Sequence, residues 1–142
     1  MPPPVTVAAI LRVLIEIAAP STPNDGRVSV ATVPRVAPGA AIELSVTILD
    51  TPLSGAPVEL WLWSTDVELA DNRFDGRDVV DPLATQPRMR ARMNAPTQPG
   101  THVIHGRLSY LSCDEQRCRT RRAAVQWVVE VAPPVAGPVP PR

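Results

Sequence analysis

Eighteen of the 142 residues are proline, and that density constrains the fold more than any other feature of the chain. A proline inside a helix removes a hydrogen bond and clashes with the preceding turn, at a cost of about 3 kcal/mol. A helical bundle is therefore a poor solution for this sequence, whereas a β-protein with many turns and open ends accommodates it. The length fits one domain of the usual ~100–150 residues. With 44% hydrophobic residues the chain can fill a core, which excludes wholesale disorder.

The prolines cluster at both ends. Residues 1–4 (Met-Pro-Pro-Pro) and 132–142 are poor in core formers, and such composition predicts extended, polyproline-like segments. We divide the chain into an N-terminal apolar segment and linker (1–26), a globular body (27–131) and a Pro-rich tail (132–142). Residues 5–19 form the most hydrophobic run, and helical and strand periodicity both fit it. It falls short of the ~20 residues of a membrane span, carries Arg12 and Glu16, and lacks the basic start of a secretory signal. The expectation is an element packed on the domain and no membrane span, with a role in export or docking as the alternative.

From residue 27 the period becomes two. Ile42, Leu44, Val46 and Ile48 alternate with polar residues, as do Val58, Leu60 and Leu62 with Glu59, Trp61 and Trp63. Met89, Ala91 and Met93 alternate with Arg88, Arg90 and Arg92, and two further strands are expected over 101–111 and 122–131. Weaker candidates are 27–33 and 66–70. Turn signals separate them at Pro38-Gly39, Ser54-Gly55, Asp75-Gly76, Asp81-Pro82 and Pro99-Gly100. The pattern predicts an all-β, immunoglobulin-like antiparallel β-sandwich of about seven strands, with a long irregular loop over 71–87.

Charge and motifs exclude several functions. The formal net charge is +0, which gives no electrostatic case for nucleic-acid binding. No glycine-rich phosphate loop, His-Glu-x-x-His or G-x-S-x-G elbow occurs. Two cysteines are too few for a four-ligand zinc site, and nothing in the chain calls for a cofactor or a metal. His102 and His105 lie three apart on a strand, face opposite sides, and are expected to be exposed strand histidines. The Arg88, Arg90 and Arg92 stripe reads as a solvated face or a patch for an anionic partner. Trp61 and Trp63 read as packed under the N-terminal segment or the long loop, or as a partner surface; Trp127 reads as core.

The remaining chemistry is a dithiol. Cys113 and Cys118 end and begin successive strands, separated by Asp114-Glu115-Gln116-Arg117. A connection that short lets the two Cα atoms approach disulfide distance. The bond would be local and accessible, which suits exchange better than stapling; a structural loop disulfide is the alternative. Arg117, Arg119, Arg121 and Arg122 crowd Cys118 along the chain, and cations favour a thiolate. Asp114 and Glu115 oppose it beside Cys113, so local charge makes Cys118 the better thiolate.

The run from Gly100 through Tyr110-Leu-Ser-Cys113 to Cys118 resembles the N-terminal periplasmic domain of the thiol:disulfide interchange protein DsbD and its free-standing relatives. Ala37-Pro38-Gly39-Ala40-Ala41-Ile42-Glu43-Leu44 is similar to that family's opening strand. The resemblance implies an immunoglobulin-like fold and a periplasmic or otherwise extracytoplasmic location. It also implies a redox pair at Cys113 and Cys118, with Tyr110 as the preceding aromatic. The implied partners are thioredoxin-like proteins and a membrane dithiol protein. That family shields its disulfide with an aromatic cap, a part that Phe74, the single phenylalanine, could take; the alternative is that Phe74 anchors its own loop. Arg119-Thr120-Arg121-Arg122 stands where the family has prolines, and its tryptophan-histidine signature is missing.

Overall fold

A computed structural model describes residues 2–3 and 24–134. The expectations for 5–19 and for most of the Pro-rich tail lie outside the described residues. Seven strands run in the order β1 (Val28–Val30), β2 (Ala41–Ile48), β3 (Val58–Trp63), β4 (Arg73–Phe74), β5 (Arg88–Asn94), β6 (Gly100–Cys113) and β7 (Cys118–Val131). They form two antiparallel sheets, one ordered β1-β2-β5 and the other β4-β3-β6-β7. The chain thus crosses between the sheets after β2, β4 and β5, in the two-sheet manner of an immunoglobulin-like sandwich. No helix among the described residues is long and apolar enough to cross a membrane.

The alternation read from the sequence is the alternation that packs. Leu44, Val46 and Ile48 from β2, Met89 and Ala91 from β5, and Leu60 and Leu62 from β3 are buried between the sheets. Ile104, Leu108 and Tyr110 of β6 meet Ala123, Val125, Trp127 and Val129 of β7 in the same layer. The Trp127 indole N–H donates to the Ser45 carbonyl at 3.2 Å, which ties the four-stranded sheet to β2 of the other. Gly106 lies opposite Val125 in the β6–β7 register and close to Trp127. A Cβ built there would come within 3.0 Å of Trp127 Cζ3, so the missing side chain leaves room for the indole.

Three expectations change. Residues 66–70 are not a strand; the short seventh strand is β4, inside the stretch read as irregular. Asp66 is instead drawn to other partners, accepting from the Ser64 hydroxyl at 3.0 Å and facing His102 Nδ1 at 2.8 Å. The last two strands are also longer than their apolar runs, because backbone pairing continues through Ser112 and Arg119 to the cysteines. His102, expected to be exposed, is buried. The asymmetric Asn24-Asp25-Gly26 segment lies along β7: Asn24 and Asp25 side chains accept from the backbone N–H groups of Ala124 and Arg122, and the Gly26 N–H donates to the Arg122 carbonyl.

His102 is held by two acceptors, Asp66 Oδ2 and, at 2.7 Å from Nε2, the Gln98 carbonyl. A neutral imidazole can donate only once, whereas the imidazolium donates to both. The Gln98 carbonyl, followed by the Asp66 carboxylate, raises the His102 pKa above its ordinary value against the opposing effect of burial. A raised folded-state pKa stabilises the fold below the unfolded value of about 6.5. That contribution is lost as pH rises through the folded value. Urea midpoints measured from pH 5 to pH 9 should therefore fall on the alkaline side, and His102→Asn should flatten the profile. An unchanged profile in the variant would remove His102 as its source.

Candidate functional site

The cysteines close the tip of the β6–β7 hairpin. Fourteen register pairs run from Gly100 opposite Val131 to Cys113 opposite Cys118. The next pair out is hydrogen-bonded, Asp114 N–H donating to the Arg117 carbonyl at 2.9 Å. Cys113 and Cys118 therefore occupy the close, non-hydrogen-bonded type of position, where facing side chains approach most nearly. Their Cα atoms are 3.9 Å apart and the sulfurs are bonded. Both residues are exposed, and the bond lies past the last buried residues of either strand.

The turn owes its shape to Asp114. Its Oδ1 accepts the backbone N–H groups of Gln116 and Arg117, each at 2.8 Å, so the side chain supplies the acceptor that a tight turn needs. These N–H groups, Arg117 first and then Gln116, hold the Asp114 carboxyl below its ordinary pKa. Asp114 is thus a turn former as well as a charge beside Cys113. Glu115 sits exposed at the turn.

Strand alternation divides the arginines. Successive side chains leave a strand on opposite faces, so Arg119 and Arg121 depart on the face away from Cys118. Arg121 reaches Asp25 at 3.7 Å. Arg122 shares the face of Cys118 but lies four residues along it. Sequence proximity of four cations therefore overstates their approach to the sulfur; Arg117 and Arg119 remain its chain neighbours.

Tyr110 is brought near the hairpin tip but faces the other way. It is buried in the core, three residues before Cys113 and on the opposite side of β6. Its hydroxyl donates to Asp50 and accepts from the Arg27 N–H at 3.2 Å, while Asp50 also accepts from that N–H at 3.1 Å. Burial, then the Asp50 carboxylate, raises the Tyr110 pKa. Burial works to raise the Asp50 pKa, but the Tyr110 hydroxyl, the Arg27 N–H and the Arg121 and Arg27 charges together hold it below the ordinary range. Tyr110 fastens β6 to the chain before β1 and to the end of β2.

Phe74 is not brought to the disulfide. It pairs across from Leu60, which itself faces Leu108, and its ring is buried in the core. Leu108 precedes Cys113 by five residues, about 16 Å of strand. Phe74 anchors its own loop. The segment that does flank the tip is the β2–β3 connection: Pro52 bridges to Ser112, and the Leu53 N–H donates to the Leu111 carbonyl at 2.8 Å. Sequence reading missed Leu53, because it lies sixty residues before Cys113 in a connection that carries no periodic signal; the Thr51-Pro52-Leu53 run only shows that it is extended.

The chemistry open to this arrangement is nucleophilic attack at an exposed sulfur. Neither sulfur needs the fold to open before a thiolate can approach. No family model matches the chain, and no curated protein matches it. Among solved structures it is similar to AggA, the major subunit of aggregative adherence fimbriae type I from Escherichia coli, at 15% identity and a TM-score of 0.37, over 75% of this chain and 94% of that one.

Proposed function

We propose that the chain is an extracytoplasmic thiol:disulfide exchange domain working through Cys113 and Cys118. One observation carries the reading: the disulfide is solvent-exposed at the tip of a hairpin whose strands are already paired down to the cysteines themselves. A bond in that place adds little to the fold and is open to a partner. The likeness of the Gly100–Cys118 run to the DsbD N-terminal domain supports the same reading, and a disulfide suits an oxidising compartment.

In the forward direction a partner thiolate attacks one sulfur, and the electron pair of the Cys113–Cys118 bond leaves on the other as a thiolate. The resulting mixed disulfide is resolved when the partner's second thiolate attacks the partner's own sulfur. The partner ends as a disulfide, and this chain ends as a dithiol with two more electrons and two more protons. With the chain already reduced the same steps run in reverse, and local charge favours Cys118 as the attacking thiolate.

Equilibration of the Cys113–Cys118 pair in dithiol buffers of graded potential tests the reading. An exchange domain should titrate above about −300 mV and exchange with reduced thioredoxin. A pair that stays oxidised below that value and does not exchange marks instead a non-catalytic immunoglobulin-like module with a local loop disulfide.

A further inference from the structure

The cysteines do not stand alone on their face of the sheet. Register places Cys113, Leu111, Ser109, Arg107 and His105 of β6 on the outer side, with Trp61 opposite Arg107 and Trp63 opposite His105. Leu53 lies beside Leu111 on that side, and Val128 of β7 lies opposite Val103. Five large apolar side chains are exposed among the described residues: Leu53 (45%), Trp61 (43%), Trp63 (47%), Leu83 (90%) and Val128 (44%). All but Leu83 are on this one outer face, which ends at the disulfide.

The two tryptophans are held in place. The Arg73 guanidinium lies 4.8 Å from the Trp61 ring centroid, and Arg73 is itself tied to Glu59 at 2.6 Å. Trp63 stacks on His105 with centroids 5.7 Å apart. Rings fixed by such contacts lose less freedom on binding than loose ones. Tryptophan is also one of the residue types enriched among the side chains that carry binding energy at protein interfaces.

We infer that the outer face of the four-stranded sheet, from the Cys113–Cys118 tip to Trp61 and Trp63, is the docking surface for a protein dithiol, with the two tryptophans as its anchors. The inference rests on the exchange reading and adds to it a requirement for a folded protein. Continuity with the disulfide argues for this occupant. An exchanging protein must bring its sulfur to the tip, and a standard interface of about 800 Å² on each side is roughly 30 Å across. Trp63 lies level with His105, eight residues before Cys113, or about 26 Å along the strand. A partner seated on the tip and lying along the sheet therefore reaches both indoles. A small thiol touches only the sulfurs and has no use for them.

The test compares two reductants of the full-length oxidised chain: reduced thioredoxin, and dithiothreitol. Thioredoxin should reduce the wild-type chain, and the Trp61→Ala/Trp63→Ala variant should lose about tenfold or more of that rate. Its rate with dithiothreitol should not change. Leu53→Arg, beside the tip, should slow thioredoxin in the same way, while Leu83→Arg off the face should not. Fluorescence of the buried Trp127 confirms that each variant is folded.

Equal thioredoxin rates in the wild-type and the tryptophan variant would overturn the inference and leave the exchange reading standing. Failure of the wild-type chain to exchange with thioredoxin at all would overturn both. A dimer of the wild-type chain in sedimentation that dissociates in the tryptophan variant would assign the face to a second copy. A marked loss of stability in the variant would assign it to another part of this chain. Either result overturns the inference.

Discussion

Replacing Cys113 or Cys118 with serine should abolish exchange with protein dithiols and leave the sandwich folded. The bond links residues five apart in sequence, and closing so short a loop removes little freedom from the unfolded chain. Its loss should lower stability by about 2 kcal/mol, as read from urea unfolding. The hairpin ladder, Asp114's grip on the turn and the Tyr110–Asp50 contact all persist without it. The two variants should also differ. Cys113→Ser retains the sulfur next to Arg117 and Arg119, so it should accumulate more mixed disulfide with an oxidised partner than Cys118→Ser does. Non-reducing electrophoresis after thiol blocking reads that adduct. If either serine variant is unfolded in the absence of denaturant, the bond is a staple and the exchange reading loses its structural basis.

The body of the fold was legible because burial on one face forces period two. Ile42–Ile48, Val58–Leu62 and Met89–Met93 display it, and each became a strand whose apolar side is buried. The reading failed in the stretch between β3 and β5. β4 is two residues long, Arg73–Phe74, too short for any period to register, and it forms because Phe74 finds room in the core beside Leu60. Asp66–Ala70 carries an alternating pattern but spends Asp66 on His102 and Ser64. The same local limits shaped the site. Spacing brought the cysteines together, since neighbours in sequence need no tertiary information to meet. Electrostatics around them did need it: counting arginines along the chain ignores that alternate side chains leave β7 on opposite faces. The flanking position of Leu53 arises from pairing of the β2–β3 connection with the end of β6, a contact across the sheet that no local motif announces.

Trp127→Ala should be the most destabilising single change in the described core, by about 3–5 kcal/mol in urea unfolding. Trp127 is among the largest fully buried side chains, and its indole N–H is bonded to Ser45 across the sandwich, so truncation opens a cavity and removes one of the two donors to the Ser45 carbonyl, which keeps the Ala31 N–H at 3.0 Å. Gly106 shows that the cost belongs to a shared space rather than to one side chain. Gly106→Ala alone places a methyl 2.9 Å from Val125 Cγ2, 3.0 Å from Trp127 Cζ3 and 3.2 Å from Leu60 Cδ1. Such overpacking should cost about 1–3 kcal/mol. In a Trp127→Ala background one of those three neighbours is gone, and the new methyl enters the cavity instead of meeting a ring. The double variant should therefore be more stable than the sum of the single changes predicts, by a coupling of about 0.5–3 kcal/mol. Strict additivity would mean that the indole does not depend on the space over Gly106, and that the two sheets are held at their spacing by other residues.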